Sequence, residues 1–173
     1  MVNMKAFRQH LHEIFDSTPI PLRMIKTPLY NRQGGVVWKG NWLVNGKPHS
    51  FEAYGRPIRL GEDDPQKSEE ENIVGWVFGF TVDSFSSASP QQEVEMKSET
   101  AKIFATALEA LRQLIKEYKP KTIRFTAEKE KKKNDSRVRL YDSMVKRFAG
   151  QQGYKLMDRS EDQFVQLYVL VKQ

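Results

Sequence analysis

Two spacings of apolar residues alternate along the chain, and the changes between them predict the order of its elements. Residues 4–16 place apolar side chains three or four positions apart, which is the pattern of an amphipathic helix. Residues 98–118 and 136–149 repeat this helical stripe. Elsewhere apolar and polar residues alternate as they do in strands. The predicted strands are VVWKGNWLV, KPHSFEAYG, residues 72–83, residues 122–127, YKLMD and residues 163–171.

Turn-forming residues separate these segments and indicate how they connect. Asn45 and Gly46 lie between two strand-like segments and predict a tight hairpin, because both residues tolerate a positive φ. The stretch STPIPLRMIKTP contains three prolines, so we expect extended chain over the surface there. The resulting order predicts a single α+β domain over residues 1–173. Its sheet should be mixed but mostly antiparallel, with a C-terminal strand–helix–strand unit.

Composition narrows the classes of chemistry that the chain can carry. The 173 residues include no cysteine, which excludes disulfides, thiolate catalysis and cysteine-based zinc sites. Three histidines are too few for a histidine-rich metal centre, so no metal site is expected. The charged N-terminus has no apolar signal-peptide centre, and no apolar run is long enough to span a bilayer. These features predict a cytoplasmic protein.

The charge of the chain predicts acidic partners and is unevenly distributed. The formal net charge is +6, and basic residues cluster in the segment before and within the last predicted helix. Such a cluster can bind the phosphate backbone of a nucleic acid, so nucleic-acid binding is one hypothesis for the function of the protein. Residues 61–72 are acidic instead and would attract a basic host protein. The candidate nucleic-acid contacts are Lys131, Lys132, Lys133, Arg137 and Arg139.

Residues 122–156 carry a resemblance to a known family. A strand, TIRFTA, precedes Asn134, a Leu140-Tyr141 pair within the predicted helix, and Gly153-Tyr154 at the start of the next strand. This arrangement resembles the GNAT superfamily of acyl-coenzyme A-dependent N-acyltransferases. Ser136-Arg137 ahead of the Leu-Tyr pair is in addition similar to uncharacterised phage-encoded proteins of comparable length.

The resemblance implies a cofactor, a reaction and a set of residues. The cofactor would be acetyl-coenzyme A or another acyl-coenzyme A, held in a cleft between parted strands, and the acyl group would pass to an amine. Tyr141 would protonate the departing thiolate. The cofactor-binding positions would be Lys97, Ser98, Thr100, Ala101 and Asn134.

The turn before the long helix departs from the family pattern. The family has glycines there, whose backbone N–H groups approach the cofactor pyrophosphate. This chain has Met-Lys-Ser-Glu-Thr-Ala at residues 96–101, and Glu99 would repel phosphate. Asp83, Glu52 and Glu128 remain alternative general bases. Two functions therefore stay open: an acyltransferase, and a non-catalytic protein on the same scaffold that binds nucleic acid or a host protein.

Overall fold

The protein combines helices with one seven-stranded sheet in the part of the chain that the structure describes. This structure, a computed structural model, describes residues 4–27, 34–59, 73–83, 99–128, 135–161 and 165–173. The helices are α1 (Met4–Asp16), α2 (Thr100–Tyr118) and α3 (Asp135–Gln152). The strands are β1 (Arg23–Thr27), β2 (Gly35–Val44), β3 (Lys47–Arg59), β4 (Ile73–Val82), β5 (Thr122–Glu128), β6 (Tyr154–Glu161) and β7 (Val165–Lys172).

The sheet has the strand order β1-β2-β3-β4-β5-β7-β6. The described strand pairs are antiparallel except β4 with β5, which are parallel and joined through α2. A second connection leads from β5 through α3 to β6, and β7 then returns between these two strands. The α+β class, the mixed sheet and the C-terminal strand–helix–strand unit predicted from the sequence are confirmed.

Local turn chemistry behaves as the sequence indicates at two element boundaries. Asn45 and Gly46 adopt φ values of 50° and 78°, and the adjacent Val44 pairs with Lys47 to close the hairpin. Lys119 caps the C-terminus of helix α2. It has a left-handed φ of 47° and donates its backbone N–H to the carbonyl of Ile115. The pattern of apolar residues and the identity of the turn residues therefore suffice to predict these boundaries.

Two segments differ from the pattern-based expectation. The proline-containing stretch was expected to be extended surface chain, but Arg23–Thr27 within it forms β1, which pairs with β2 along the sheet edge. Its residues lie between prolines and keep their N–H groups, so an edge strand is compatible with this sequence. The predicted strand YKLMD ends at Asp158, whereas β6 continues through Glu161 because β7 offers it partners.

Helices pack on one set of alternating strand positions, which we call the inner face. Phe80 of β4 contacts Phe104 of α2 with ring centroids 6.1 Å apart, and the Tyr168 hydroxyl of β7 donates to Asp142 of α3 at 2.9 Å. Alternation places these residues on the same face as the buried core. The fully buried large side chains of the core are Trp38, Tyr168, Phe51, Phe148, Ile14, Ile20, Leu114, Ile123 and Leu170.

Residues at the intervening positions point to the opposite side of the sheet, which we call the outer face. Several of their side chains are exposed, in contrast to the inner face. The exposed outer-face residues in the centre of the sheet are Lys39, Asn41, Leu43, Arg56, Thr81 and Arg124. The sheet thus has one face packed under helices and one polar face, as alternating strands allow.

Candidate functional site

Strands β4 and β5 part soon after they meet. Their parallel pairing consists of Trp76 with Ile123 and Val77 with Arg124, whereas β3 and β4 pair in nine positions. Residues 78–82 and 125–128 continue as strands without pairing with each other. Among the described residues, no strand pairs with the backbone groups on the two sides of this β4–β5 cleft, as a ligand that supplies hydrogen bonds in place of a strand would require.

Helix α2 runs antiparallel to β4, so that its first turn lies at the open end of the cleft. Tyr118, in the last turn, packs on Trp76 at the paired end with ring centroids 4.3 Å apart. Phe104, near the first turn, contacts Phe80 beyond the paired positions. A helix N-terminus presents unpaired N–H groups and positive potential, so this end of the cleft is suited to an anion.

The first turn of α2 also contains a carboxylate that opposes an anion. Glu99 is the N-cap residue, and its side chain makes no capping hydrogen bond. Its Oε2 atom lies 4.0 Å from Nζ of Lys102, and at this distance the partly exposed pair neutralises the carboxylate only in part. Thr100 and Ala101, predicted to hold the cofactor, lie in this first turn.

Other predicted residues fall partly or wholly outside the described part of the chain. Tyr141, Arg137 and Arg139 lie in α3, but the structure describes only their backbone. The helix turn that contains Tyr141 is held above β7 by the hydrogen bond from Tyr168 to Asp142. The predicted residues that lie outside the described ranges are Lys97, Ser98, Asn134, Lys131, Lys132 and Lys133.

The three candidate general bases have different surroundings. Glu52 lies on the outer face and forms an ion pair with Lys39 at 3.0 Å. The side chain of Glu128 lies outside the part of the chain that is described. Asp83 follows β4 with a positive φ of 47°, a conformation that asparagine and aspartate adopt more readily than other non-glycine residues.

Asp83 orients a buried histidine that the sequence pattern did not single out as a site residue. Its Oδ2 atom lies 2.6 Å from Nδ1 of His49, and its Oδ1 atom accepts the backbone N–H of Ser50 at 2.8 Å. An ionised carboxylate only accepts hydrogen bonds, so the His49 proton lies on Nδ1. In the neutral form of the ring, Nε2 is then the acceptor nitrogen. Asp83 thus holds the His49 ring and the Ser50 backbone together.

One nitrogen atom of His49 and one of its neighbour Trp42 are buried without a hydrogen bond to any residue described. His49 packs against Trp42 on the neighbouring strand with ring centroids 5.4 Å apart. Neither Nε2 of His49 nor Nε1 of Trp42 has a partner among the residues described. One is an acceptor and the other a donor, and leaving both unsatisfied costs free energy of folding. This cluster lies at the end of β4 nearest the first turn of α2.

The outer face carries a second group of side chains at the start of the cleft. Tyr54 lies over Gly79, where an added Cβ would be 2.5 Å from Cζ of the tyrosine ring. The guanidinium of Arg56 lies 5.1 Å from the centre of the same ring. Arg124 lies on the other side of β4, level with Val77. Sequence analysis missed this group, although a glycine within a strand signals that another chain segment approaches closely.

Two kinds of site are not found in the described ranges. No three or more histidine, aspartate and glutamate side chains gather there as a metal would require. The helices of those ranges include none that is long and apolar enough to cross a bilayer.

Comparison of the chain with protein-family models, with curated proteins and with solved structures found no match.

Proposed function

We propose that the protein transfers an acyl group from an acyl-coenzyme A to an amine. The observation that carries this proposal is the early end of the β4–β5 pairing, beside which α2 begins. A pantetheine chain is narrow and carries amide groups, so it can hydrogen bond to the unpaired edge of β4 as an added strand would. The pyrophosphate would then lie at the N-terminus of α2. Parting of these strands is what the resemblance to the GNAT superfamily implies.

The reaction requires two proton movements and no change of oxidation state. The amine nitrogen attacks the thioester carbonyl, the C–N bond forms, the C–S bond breaks, and the amine loses one proton. Tyr141 is the residue proposed to protonate the thiolate. Its helix, α3, follows β5 along the chain and packs on β7 through the hydrogen bond from Tyr168 to Asp142. Thr100 and Ala101, in the first turn of α2, are the positions proposed to lie against the cofactor phosphates.

Calorimetry with acetyl-coenzyme A tests the proposal at its first step. We expect micromolar binding by the full chain, because the cleft and the helix N-terminus act on different parts of one ligand. A Tyr141→Phe variant should bind acetyl-coenzyme A as tightly and turn over more slowly, by about 10²-fold or more if the hydroxyl is the general acid. Absence of binding at millimolar acetyl-coenzyme A would remove the acyltransferase.

A further inference from the structure

We propose that the acyl acceptor is a small amine that also carries a carboxylate or phosphate group, and that Arg56 and Arg124 bind this anion on the outer face. The inference rests on the proposed acyl transfer and adds the class of its second substrate. It is carried by one row of the sheet, in which Arg56 pairs with Val77 and Val77 pairs with Arg124. Val77 is also the last residue of β4 that pairs with β5.

The register places the two arginines on opposite sides of the point where the strands part. Adjacent strands lie about 4.8 Å apart, so the two Cα atoms are separated by roughly 10 Å. Both side chains are exposed on the outer face, opposite to the face that α2 covers. An anion bound between them would thus approach the cleft from the side opposite to the proposed phosphate site.

Neither guanidinium is neutralised by a carboxylate within the described ranges. Arg56 stacks over the Tyr54 ring, a contact that orients the guanidinium without occupying its N–H donors. Arg124 has no ion-pair partner there either. Lys39 and Glu52, farther along the same face, pair with each other at 3.0 Å and so offset each other's charge. Two unpaired guanidinium groups in one row favour a ligand with a planar or tetrahedral anion, since each presents a fork of donors.

The position of Tyr54 indicates how an acceptor bound at Arg56 and Arg124 would be oriented relative to the cleft. Its ring lies across Gly79, which is two residues beyond Val77, the last residue of β4 that pairs with β5. The Tyr54 hydroxyl has no hydrogen-bond partner in the part of the chain that is described. Two strand residues span about 6.6 Å, which is the length of a small amino acid. An acceptor whose anion binds at the arginines therefore directs its amine along β4 toward the Tyr54 hydroxyl. Only an amine and an anion close together in one molecule fit this spacing.

Binding of product-like ligands tests the acceptor site without any turnover. Backbone amide shifts of the full chain would be followed by NMR during titration with N-acetyl-β-alanine, N-acetyl-O-phosphoethanolamine and the uncharged N-acetyl-β-alaninamide. We expect the two anions to shift residues 77–79 and 124, and the amide to leave them unchanged. The anion that binds with the higher affinity shows whether the site prefers a carboxylate or a phosphate group.

Variants on the outer face link the binding to the two arginines. Arg56→Gln and Arg124→Gln should each weaken anion binding about tenfold, the loss of one charge-assisted contact. Arg56→Lys should restore part of the loss at that position, because it keeps the charge but not the fork. Arg23→Gln is the matched control: an exposed arginine on the edge strand, at an outer-face position far from the cleft, whose removal should change nothing.

Turnover assays then compare β-alanine with β-alaninamide and O-phosphoethanolamine with ethanolamine as acceptors of the acetyl group. Each arginine variant should raise KM for the acceptor that carries the carboxylate or phosphate about tenfold and leave KM for its counterpart without that anion unchanged. Anion titrations that leave residues 77–79 and 124 unshifted, or shifts that persist in the double variant, would overturn the acceptor site. If calorimetry still detects acetyl-coenzyme A, the proposed acyl transfer survives that result. If acetyl-coenzyme A fails to bind, both proposals are lost.

Discussion

Nδ1 of His49 and Oδ2 of Asp83 lie 2.6 Å apart, although the two residues are separated by a strand and a long connection. The His49 side chain is only 2% exposed, so this contact satisfies a polar group that water does not reach. The second carboxylate oxygen accepts the Ser50 N–H, which ties the end of β4 to β3. Asp83 therefore holds the edge of the sheet at which the cleft opens.

Removing the Asp83 carboxylate should destabilise the fold. Asp83→Ala leaves the buried Nδ1–H unpaired and places alanine at a φ of 47°, so we expect a loss of about 2–4 kcal/mol in the free energy of unfolding. Asp83→Asn retains an acceptor oxygen and tolerates the left-handed conformation, so its loss should be smaller. Urea unfolding measures both. Equal stability of the alanine variant and wild type would contradict the role of this contact.

Gly79 and Tyr54 offer a test of close packing on the outer face. Gly79→Ala forces the tyrosine ring away, since the new Cβ would lie 2.5 Å from Cζ, and should lower stability by about 1–3 kcal/mol. Combining it with Tyr54→Ala should cost less than the two single changes added together. Thermal unfolding of the four proteins completes the cycle.

A matched glycine separates this packing effect from the general effect of glycine replacement. Gly150 lies within α3, and an added Cβ there would meet no atom within 4 Å. Gly150→Ala should therefore stabilise the protein by about 0.5–1 kcal/mol. Similar destabilisation by both alanine replacements would show that Tyr54 is not the cause at Gly79.

Glu99 should weaken the affinity for acyl-coenzyme A. Its carboxylate at the N-cap of α2 would repel the phosphates of the proposed cofactor, so Glu99→Gln should tighten acetyl-coenzyme A binding about two- to fivefold at low salt. The gain should shrink as ionic strength rises. Glu109→Gln, in the middle of the same helix, is the control and should leave the affinity unchanged. Calorimetry at two salt concentrations distinguishes the variants, and a weaker Glu99→Gln complex would contradict the proposed phosphate position.

Alkaline pH should destabilise the protein through buried tyrosines. Burial raises the pKa of Tyr154 above its ordinary value of 10.0, and its hydroxyl donates to the carbonyl of Pro120 at 2.5 Å. Burial also raises the pKa of Tyr118. Above pH 10 the unfolded chain loses these protons before the folded chain does, so the free energy of unfolding falls as pH rises.

The Tyr154→Phe variant isolates one contribution to this alkaline loss. At pH 8 it should be less stable by about 1 kcal/mol, because the hydrogen bond to Pro120 is missing. Between pH 9.5 and 11 its stability should then fall less steeply than that of the wild type. Chemical denaturation at several pH values measures both effects. Parallel curves for the two proteins would exclude Tyr154 as a source of the pH dependence.

Much of the fold follows from local patterns. The helical stripe of residues 98–118 predicts α2 to within two residues, and Asn45-Gly46 predicts the β2–β3 hairpin. These predictions succeed because periodic burial and turn conformation depend on residues close together in sequence. The end of β6 and the existence of β1 were not predicted, since each depends on the strand that pairs with it.

Less of the candidate site than of the fold could be predicted from the sequence, for one physical reason. The sequence by itself determined the class of the fold, the order of its elements apart from β1, and the absence of thiol chemistry. Only the tertiary structure decided that β4 and β5 part after Val77, that Asp83 meets His49, and that Arg56 and Arg124 flank one residue. Those relationships depend on strand register between distant segments, and register is set by packing of the whole sheet rather than by any local run of residues.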